Sequence, residues 1–259
     1  LAFFVQRFSD DLASTEHTHD ITAGKDREAA LRALYTGWLG LLSEYDFDTL
    51  TLEDKLEYAL FKREMNHRLD LLTFETRRQD EALLLLPGLP PLIALAEQRR
   101  ALLPLHPAKA KLQIVSATDA LQKSEKRLRS DSSGVSPVVA LRAARLLDGF
   151  RGNFKEWNTF YAGYDPDYTR KVAAAYQELD KQFESYSAFL RNDLAKASDP
   201  ETIIGDPIGR DAVEAALRYE LIPYTPEQIV RIAEIELAWC QEELRKAAAE
   251  MGYSDWRQA

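Results

Sequence analysis

A capping residue followed at once by proline occurs four times in the second half of the chain, and this pairing most constrains how the chain can fold. The four pairs are Ser136-Pro137, Asp165-Pro166, Asp206-Pro207 and Thr225-Pro226. A side-chain oxygen of the first residue can accept a hydrogen bond from the free N–H groups of a first helical turn. Proline fits the first helical position, where its missing N–H costs nothing. Each pair therefore predicts the start of a helix.

Apolar residues recur at helical spacing along the rest of the sequence, and no run alternates between apolar and polar residues as a strand would. In the first half this spacing predicts helices over 1–12, 25–44, 52–78, 89–103 and 109–129. Together with the four helices that follow, the expected fold is all-α, an array of about eight to nine long antiparallel helices.

The last of these helices has the strongest start signal, in the sequence "IPYTPEQI" that begins at Ile222. Thr225 and Gln228 have the spacing of a capping box, in which each side chain accepts a hydrogen bond from the backbone of the other residue. Behind the box, apolar residues form one helical stripe. Its members are Ile229, Ile232, Ala233, Leu237, Cys240, Leu244, Ala247, Ala248 and Met251. The stripe must pack on something, and we expect Cys240 to be a small core residue.

Two other helical segments carry many large apolar residues. The segment 52–78 is apolar on two sides, with Leu56, Leu60 and Leu71 on one face and Phe61 and Met65 on another, which predicts a central helix buried between neighbours. Between residues 150 and 168, aromatic residues recur mainly at the spacing of one helical face, with basic residues between them. These aromatic residues are Phe150, Phe154, Trp157, Phe160, Tyr161, Tyr164 and Tyr168. Core packing is the favoured interpretation over the stacking of bases or sugars, with the Tyr164 and Tyr168 hydroxyls at a wetter end.

The charge balance and the apolar runs restrict the partners. The 33 basic and 42 acidic residues give a net charge of -9, which argues against binding to a phosphate backbone. The longest uncharged apolar run, Ala82–Ala96, is interrupted by prolines and a glycine, so it predicts a buried turn between helices rather than a bilayer span. We therefore expect no nucleic-acid partner and no membrane span.

Metal-ligating residues are sparse. Glu64 and His67 form a Glu-x-x-His pair, and Glu16 with His19 forms a second, which is the pairing that di-iron bundles take from two of their helices. The motif has only two fixed letters, and Glu16 lies in a polar stretch typical of a helix end. The favoured interpretation is a partly buried His67 that is hydrogen-bonded to a neighbour and a solvent-exposed His19.

The segment from Asp206 to Trp256 resembles part of a large bacterial family catalogued as domain of unknown function 885. Members share a passage of the form IG…L…Y-[ST]-P-E-[EQ] that leads into a long helix. The matching residues in this sequence are Ile208, Gly209, Leu217, Tyr224, Thr225, Pro226, Glu227 and Gln228. The run Leu56–Glu75 is similar to the family's first long helix, so the resemblance extends over nearly the whole chain.

The resemblance implies a helical fold similar to that of zinc peptidases of the gluzincin type. In the family, a zinc motif like His-Glu-x-x-x-Gly-His and a further glutamate ligand lie well after the tyrosine-threonine-proline passage. The present sequence stops at Ala259, ahead of any such motif, so no catalytic, cofactor-binding or metal-binding residue is assigned to it. We expect residues 1–259 to be the N-terminal helical lobe of a longer protein, with a sub-boundary in the polar loop at 130–136.

Two hypotheses about function follow. In the first, the chain is the N-terminal lobe of a zinc-dependent peptide-bond hydrolase and is not catalytic alone; its partners are a peptide substrate and the C-terminal half. This hypothesis expects an exposed apolar surface where the other half docks. In the second, the chain is a stand-alone helical binding or scaffold domain. Both the bacterial cytoplasm and export stay open, because the sequence starts at Leu1 and an export signal would lie upstream of it.

Overall fold

The computed structural model describes residues 1–198 and 203–258, and the only regular structure in these ranges is helical. The α-helices are α1 (Ala2–Thr18), α2 (Lys25–Ser43), α3 (Leu52–Leu83), α4 (Leu89–Arg100), α5 (Pro107–Ser130), α6 (Pro137–Tyr164), α7 (Pro166–Phe189), α8 (Arg210–Tyr219) and α9 (Pro226–Glu250). A π-helical turn, Leu190–Leu194, extends α7. The described part of the chain thus confirms the all-α class and the expected number of helices.

The chain divides into two compact units, Leu1–Pro207 and Ile208–Ala259. The first unit holds α1 to α7, and the second holds α8 and α9. The polar loop at 130–136 joins α5 to α6 inside the first unit. The sub-boundary expected there stays a prediction about domain organisation.

Three of the four capping pairs begin helices as predicted. Helices α6, α7 and α9 start at Pro137, Pro166 and Pro226. The fourth prediction is wrong, because α8 starts at Arg210, three residues after Pro207. Asp206 binds arginine side chains of the first unit instead of capping a helix, and Gly209, at a φ of 85°, turns the chain into α8.

The larger apolar core joins the C-terminal end of α3 to α4–α7, and the aromatic residues of α6 lie at its centre. The Phe154 ring stacks on Trp157 at 4.5 Å between centroids and on Phe150 at 5.4 Å. Core packing is confirmed for these side chains, but it is wrong for Phe160, which is exposed. Tyr164, whose hydroxyl is predicted to lie at a wetter end, is exposed as well. Tyr168 differs from the prediction, since it is fully buried and its hydroxyl donates a hydrogen bond to Asn158.

The turn between α3 and α4 is buried in the same core. Leu85, Leu86 and Leu89 are buried there, as predicted for the uncharged run. The hydroxyl of Tyr186 donates a hydrogen bond of 2.6 Å to the Leu85 carbonyl oxygen and lies 3.0 Å from the Ser124 hydroxyl. This pairing satisfies a buried carbonyl where the backbone turns. None of the described helices is long and apolar enough to cross a bilayer.

A second, smaller core lies between α1, α2 and the N-terminal half of α3. Its buried residues are Phe8, Leu31, Tyr35, Trp38, Leu42, Phe61 and Met65. The prediction that α3 is buried on two sides is wrong, because Leu56, Leu60 and Leu71 are exposed. In the N-terminal half of α3, the face with Phe61 and Met65 packs in the smaller core, whereas Leu56 and Leu60 lie at the surface of the first unit.

In the second unit, α9 starts with the predicted capping box. The Thr225 hydroxyl accepts a hydrogen bond from the Gln228 N–H, and the Gln228 side chain accepts one from the Thr225 N–H. The apolar stripe behind it is largely exposed, and Ala248 is its buried member. The expectation of a core position for Cys240 is wrong: its thiol is free and exposed. Helical spacing identifies an apolar face but says nothing about what covers that face.

The first turn of α9 also carries an ion pair with a measurable consequence. Arg210 donates to both carboxylate oxygens of Glu227, with 3.1 Å between Nη2 and Oε2, and these hydrogen bonds lower the pKa of Glu227 to about 2. Because the charged form is favoured, the contribution of this pair to stability is present above the ordinary glutamate pKa and is lost as pH falls toward 2.

We expect Arg210→Gln to raise the pKa of Glu227 toward the ordinary glutamate value of about 4.3. The measurement is an NMR titration of the side-chain carboxyl carbon between acid and neutral pH. Arg245→Gln, near the other end of the same helix, is the control and should leave the midpoint where it is in the unmodified chain. An unchanged midpoint in Arg210→Gln would contradict the assigned cause.

Candidate functional site

A cleft of about 380 Å³ opens in the first unit between α3 and α6. The residues that line it come from four segments of the chain. They are Ile21, Thr22 and Ala23, then Glu75, Arg78, Gln79 and Ala82, then Arg142, Arg145, Leu146, Gly149, Phe150 and Asn153, and finally Asp206. The cleft thus joins three arginines and two carboxylates to an apolar wall.

Helical register explains why these side chains meet. The α3 residues are spaced i, i+3, i+4 and i+7, which places them on one face of that helix. The α6 residues follow the same rule from Arg142 to Asn153 and share their face with the aromatic residues of the core. The cleft therefore forms at the edge of the apolar faces of α3 and α6, where arginine side chains replace the apolar residues near the surface.

Asp206 is held between two of the arginines. Arg142 donates to its Oδ1 from Nε at 2.9 Å and from Nη2 at 2.7 Å, and Arg78 contacts Oδ2. Arg142 also donates to Glu81 at 3.1 Å, and Arg78 to Glu75 at 3.4 Å. Although partial burial acts to raise it, hydrogen bonds from Arg142 and Arg78 hold the pKa of Asp206 below its ordinary value. The carboxylate stays ionised at neutral pH.

The third arginine differs from the other two. Arg145 is exposed and makes no hydrogen bond or ion pair with any residue in the described parts of the chain. One turn further along α6, Gly149 has no side chain, and a Cβ added there would meet nothing within 4 Å. Phe150 and Ile21 are buried in the larger core and form the apolar side. This arrangement suits a ligand with one anionic group beside an apolar group.

The two Glu-x-x-His pairs do not assemble into a site. Glu16 accepts a hydrogen bond of 3.2 Å from Arg27, and Glu64 accepts one of 2.6 Å from Arg68. Residues 1–198 and 203–258 contain no group of three or more histidine, cysteine, aspartate or glutamate side chains that could hold a metal. The helix end predicted near His19 is confirmed, because α1 ends at Thr18.

None of the cleft residues was predicted from the sequence as a site residue. A signal was present in α6, where Arg142, Arg145 and Gly149 lie on one helical face next to the buried aromatic residues. Helical spacing could not predict the partner of Arg142, because Asp206 lies 64 residues further along the chain. The capping interpretation of Asp206 also gave this side chain a different role.

Comparison with known proteins gives one family and no individual relative. The model of the family described as "Bacterial protein of unknown function (DUF885)" matches residues 12–259. No curated protein matches the chain. No solved structure matches it either.

Proposed function

Because the chain belongs to the DUF885 family of bacterial proteins of unknown function, we propose that it is the helical lobe of a zinc-dependent peptide-bond hydrolase. The observation that carries the proposal is the extent of the family match, from residue 12 to residue 259. The resemblance of this family to gluzincin-type peptidases supplies the reaction class, which is an argument by analogy. In this proposal the lobe walls the substrate cleft and is not catalytic alone.

Zinc does not fit the described residues of the chain. A catalytic zinc ion takes three protein ligands, and these residues offer no group of three or more suitable side chains. In the proposal, the zinc ligands belong to a C-terminal half outside residues 1–259, where the family resemblance implies the zinc motif. No step of the hydrolysis is assigned to side chains of the present chain, whose part is to bind and orient the peptide.

The test compares the product of the complete reading frame with residues 1–259 alone. We expect the complete product to contain about one zinc ion per chain, to cleave a mixture of peptides as followed by mass spectrometry, and to lose this activity on chelation. Residues 1–259 alone should contain no zinc and cleave nothing. A reading frame that stops at codon 259, or a complete product without zinc and without cleavage, would overturn the proposal.

A stand-alone helical binding or scaffold domain is the second candidate, and the exposed residues of α9 favour it. Ile232, Ile235 and Trp239 are exposed and, at the spacing i, i+3 and i+7, lie on one face of α9. Contiguous exposed apolar patches mark surfaces that bind other proteins. The first candidate expects such a surface as well, so the length of the reading frame decides between the two.

A further inference from the structure

The cleft between α3 and α6 already binds one carboxylate, which belongs to the chain itself. Asp206 receives two hydrogen bonds from Arg142 on one oxygen and the Arg78 guanidinium on the other. A planar guanidinium matches a carboxylate because its N–H groups form a fixed fork. Asp206 therefore shows which anion the arginines of this cleft accept.

Arg145 provides a further guanidinium of the same kind without such a partner. It lies one turn from Arg142 on the same face of α6 and lines the same cleft. Within the described residues no carboxylate pairs with it. A ligand carboxylate at this position would meet a cation that needs no internal ion pair to be broken first.

The charges around Arg145 select for a single negative charge. Arg78 and Arg142 are already engaged by Asp206, Glu75 and Glu81, and two of these carboxylates line the cleft. A phosphate dianion loses more hydration than a carboxylate on entering the cleft, and the guanidinium of Arg145 balances only a single negative charge. This difference favours a carboxylate over a phosphate.

The apolar residues beside Arg145 favour a ligand that carries an apolar group next to its negative charge. Leu146, the buried Phe150 and Ile21 line the cleft, and Gly149 leaves open space there. The volume of about 380 Å³ is in the range of small-ligand pockets. One or two residues at the end of a peptide fill such a volume.

We propose that this cleft is a subsite for the C-terminal end of a peptide, with its free α-carboxylate on Arg145 and its last side chain against Leu146 and Phe150. The proposal deepens the proposed function and rests on it, since it adds a requirement for a free C-terminus to the substrate. Arg145 is a binding residue in this proposal and takes no part in bond cleavage.

The experiment is calorimetric titration of residues 1–259 with N-acetyl-glycyl-leucine, its C-terminal amide, acetate and inorganic phosphate. We expect saturable binding of the free acid and binding of the amide that is weaker by about 10-fold or more, because the amide lacks the charge. Acetate and phosphate should bind more weakly than the free acid. Equal binding of acid and amide, or phosphate binding as tight as that of the acid, would overturn the proposal.

Two variants test separately how the charge of the site and its shape contribute to binding. Arg145→Gln removes the cation and should weaken binding of the free acid by about 10-fold or more. Gly149→Leu adds a side chain at a position of the cleft where a Cβ meets nothing within 4 Å, and we expect it to abolish binding. The matched controls are Arg127→Gln, on α5, and Gly152→Leu, also on α6 with open space around it; both should bind as the unmodified chain does.

The experiments test the subsite proposal and the hydrolase proposal separately. If Arg145→Gln and Gly149→Leu bind the acid as the unmodified chain does, while melting normally by circular dichroism, the subsite is refuted. That result leaves zinc content and peptide cleavage by the complete product untouched. Conversely, a complete product without zinc and without cleavage refutes the hydrolase, while selective binding of the free acid to residues 1–259 would still stand.

Discussion

Phe154→Ala is expected to lower the free energy of unfolding by about 3–5 kcal/mol. Phe154 is fully buried on α6, and its ring stacks between Phe150 and Trp157. Removing it takes away apolar burial and leaves a cavity between two large rings, which these neighbours fill only in part. Urea denaturation followed by circular dichroism measures the loss as a lower midpoint.

Phe160→Ala is the matched control, because Phe160 is on the same helix but 47% exposed. Its ring contacts Tyr161, Tyr164 and the Arg99 guanidinium at the surface, and losing these contacts should cost about 1 kcal/mol or less. Equal losses in the two variants would mean that the aromatic face of α6 is not the centre of the core.

Gly88→Ala is expected to destabilise the first unit by about 1–3 kcal/mol through a steric conflict. Gly88 precedes α4 with an ordinary φ of −82°, so its backbone conformation is open to any residue. An added Cβ would lie 2.9 Å from Leu121 Cγ and closer still to the backbone carbonyl oxygen of Ala117. Because a backbone atom cannot swing away, α4 and α5 would have to move apart.

Gly152→Ala is the opposite case and serves as the control. Gly152 is exposed in the middle of α6, where an added Cβ meets nothing within 4 Å. Alanine there lowers the entropy of the unfolded chain and should stabilise the helix by about 0.5–1 kcal/mol. Thermal melts of both variants show whether each substitution raises or lowers the stability. A stabilising Gly88→Ala would contradict the close approach of α4 and α5.

The helices were predictable from sequence because their signals are local. Capping residues with proline, such as Thr225 with Pro226, act within one turn, and the structure places α9 where they predict it. Asp206 with Pro207 carries the same local signal and starts no helix. Its carboxylate instead forms ion pairs with arginines that are distant in the sequence, and these tertiary contacts determine its role.

Burial was predicted correctly for the central aromatic residues of α6 and wrongly for two other apolar faces. Phe150, Phe154 and Trp157 together bury a large apolar area, and they lie in the larger core. Cys240 and Leu56 also lie on apolar faces, yet both are exposed. The spacing that marks a face as apolar is the same whether a neighbouring helix covers it or not.

Part of the cleft can be predicted from helical spacing, and the rest depends on tertiary packing. The common face of Arg142, Arg145 and Gly149 can be read from the sequence of α6 alone. That α3 lies opposite with Arg78, and that residues 21–23 close one side, depends on how the helices pack. Tertiary packing, which no short motif encodes, therefore turned two ordinary helical faces into a candidate site.

Helix α3 contributes to both apolar cores, and this sharing couples the stability of one core to that of the other. The smaller core takes Phe61 and Met65 from its N-terminal half, whereas Ala82 near its other end belongs to the larger core. Proteins open locally in cooperative segments whose opening free energies differ widely. Ile21 and Ala23, between α1 and α2, also belong to the larger core, so opening of the segment from α1 to the first half of α3 must break contacts in both cores.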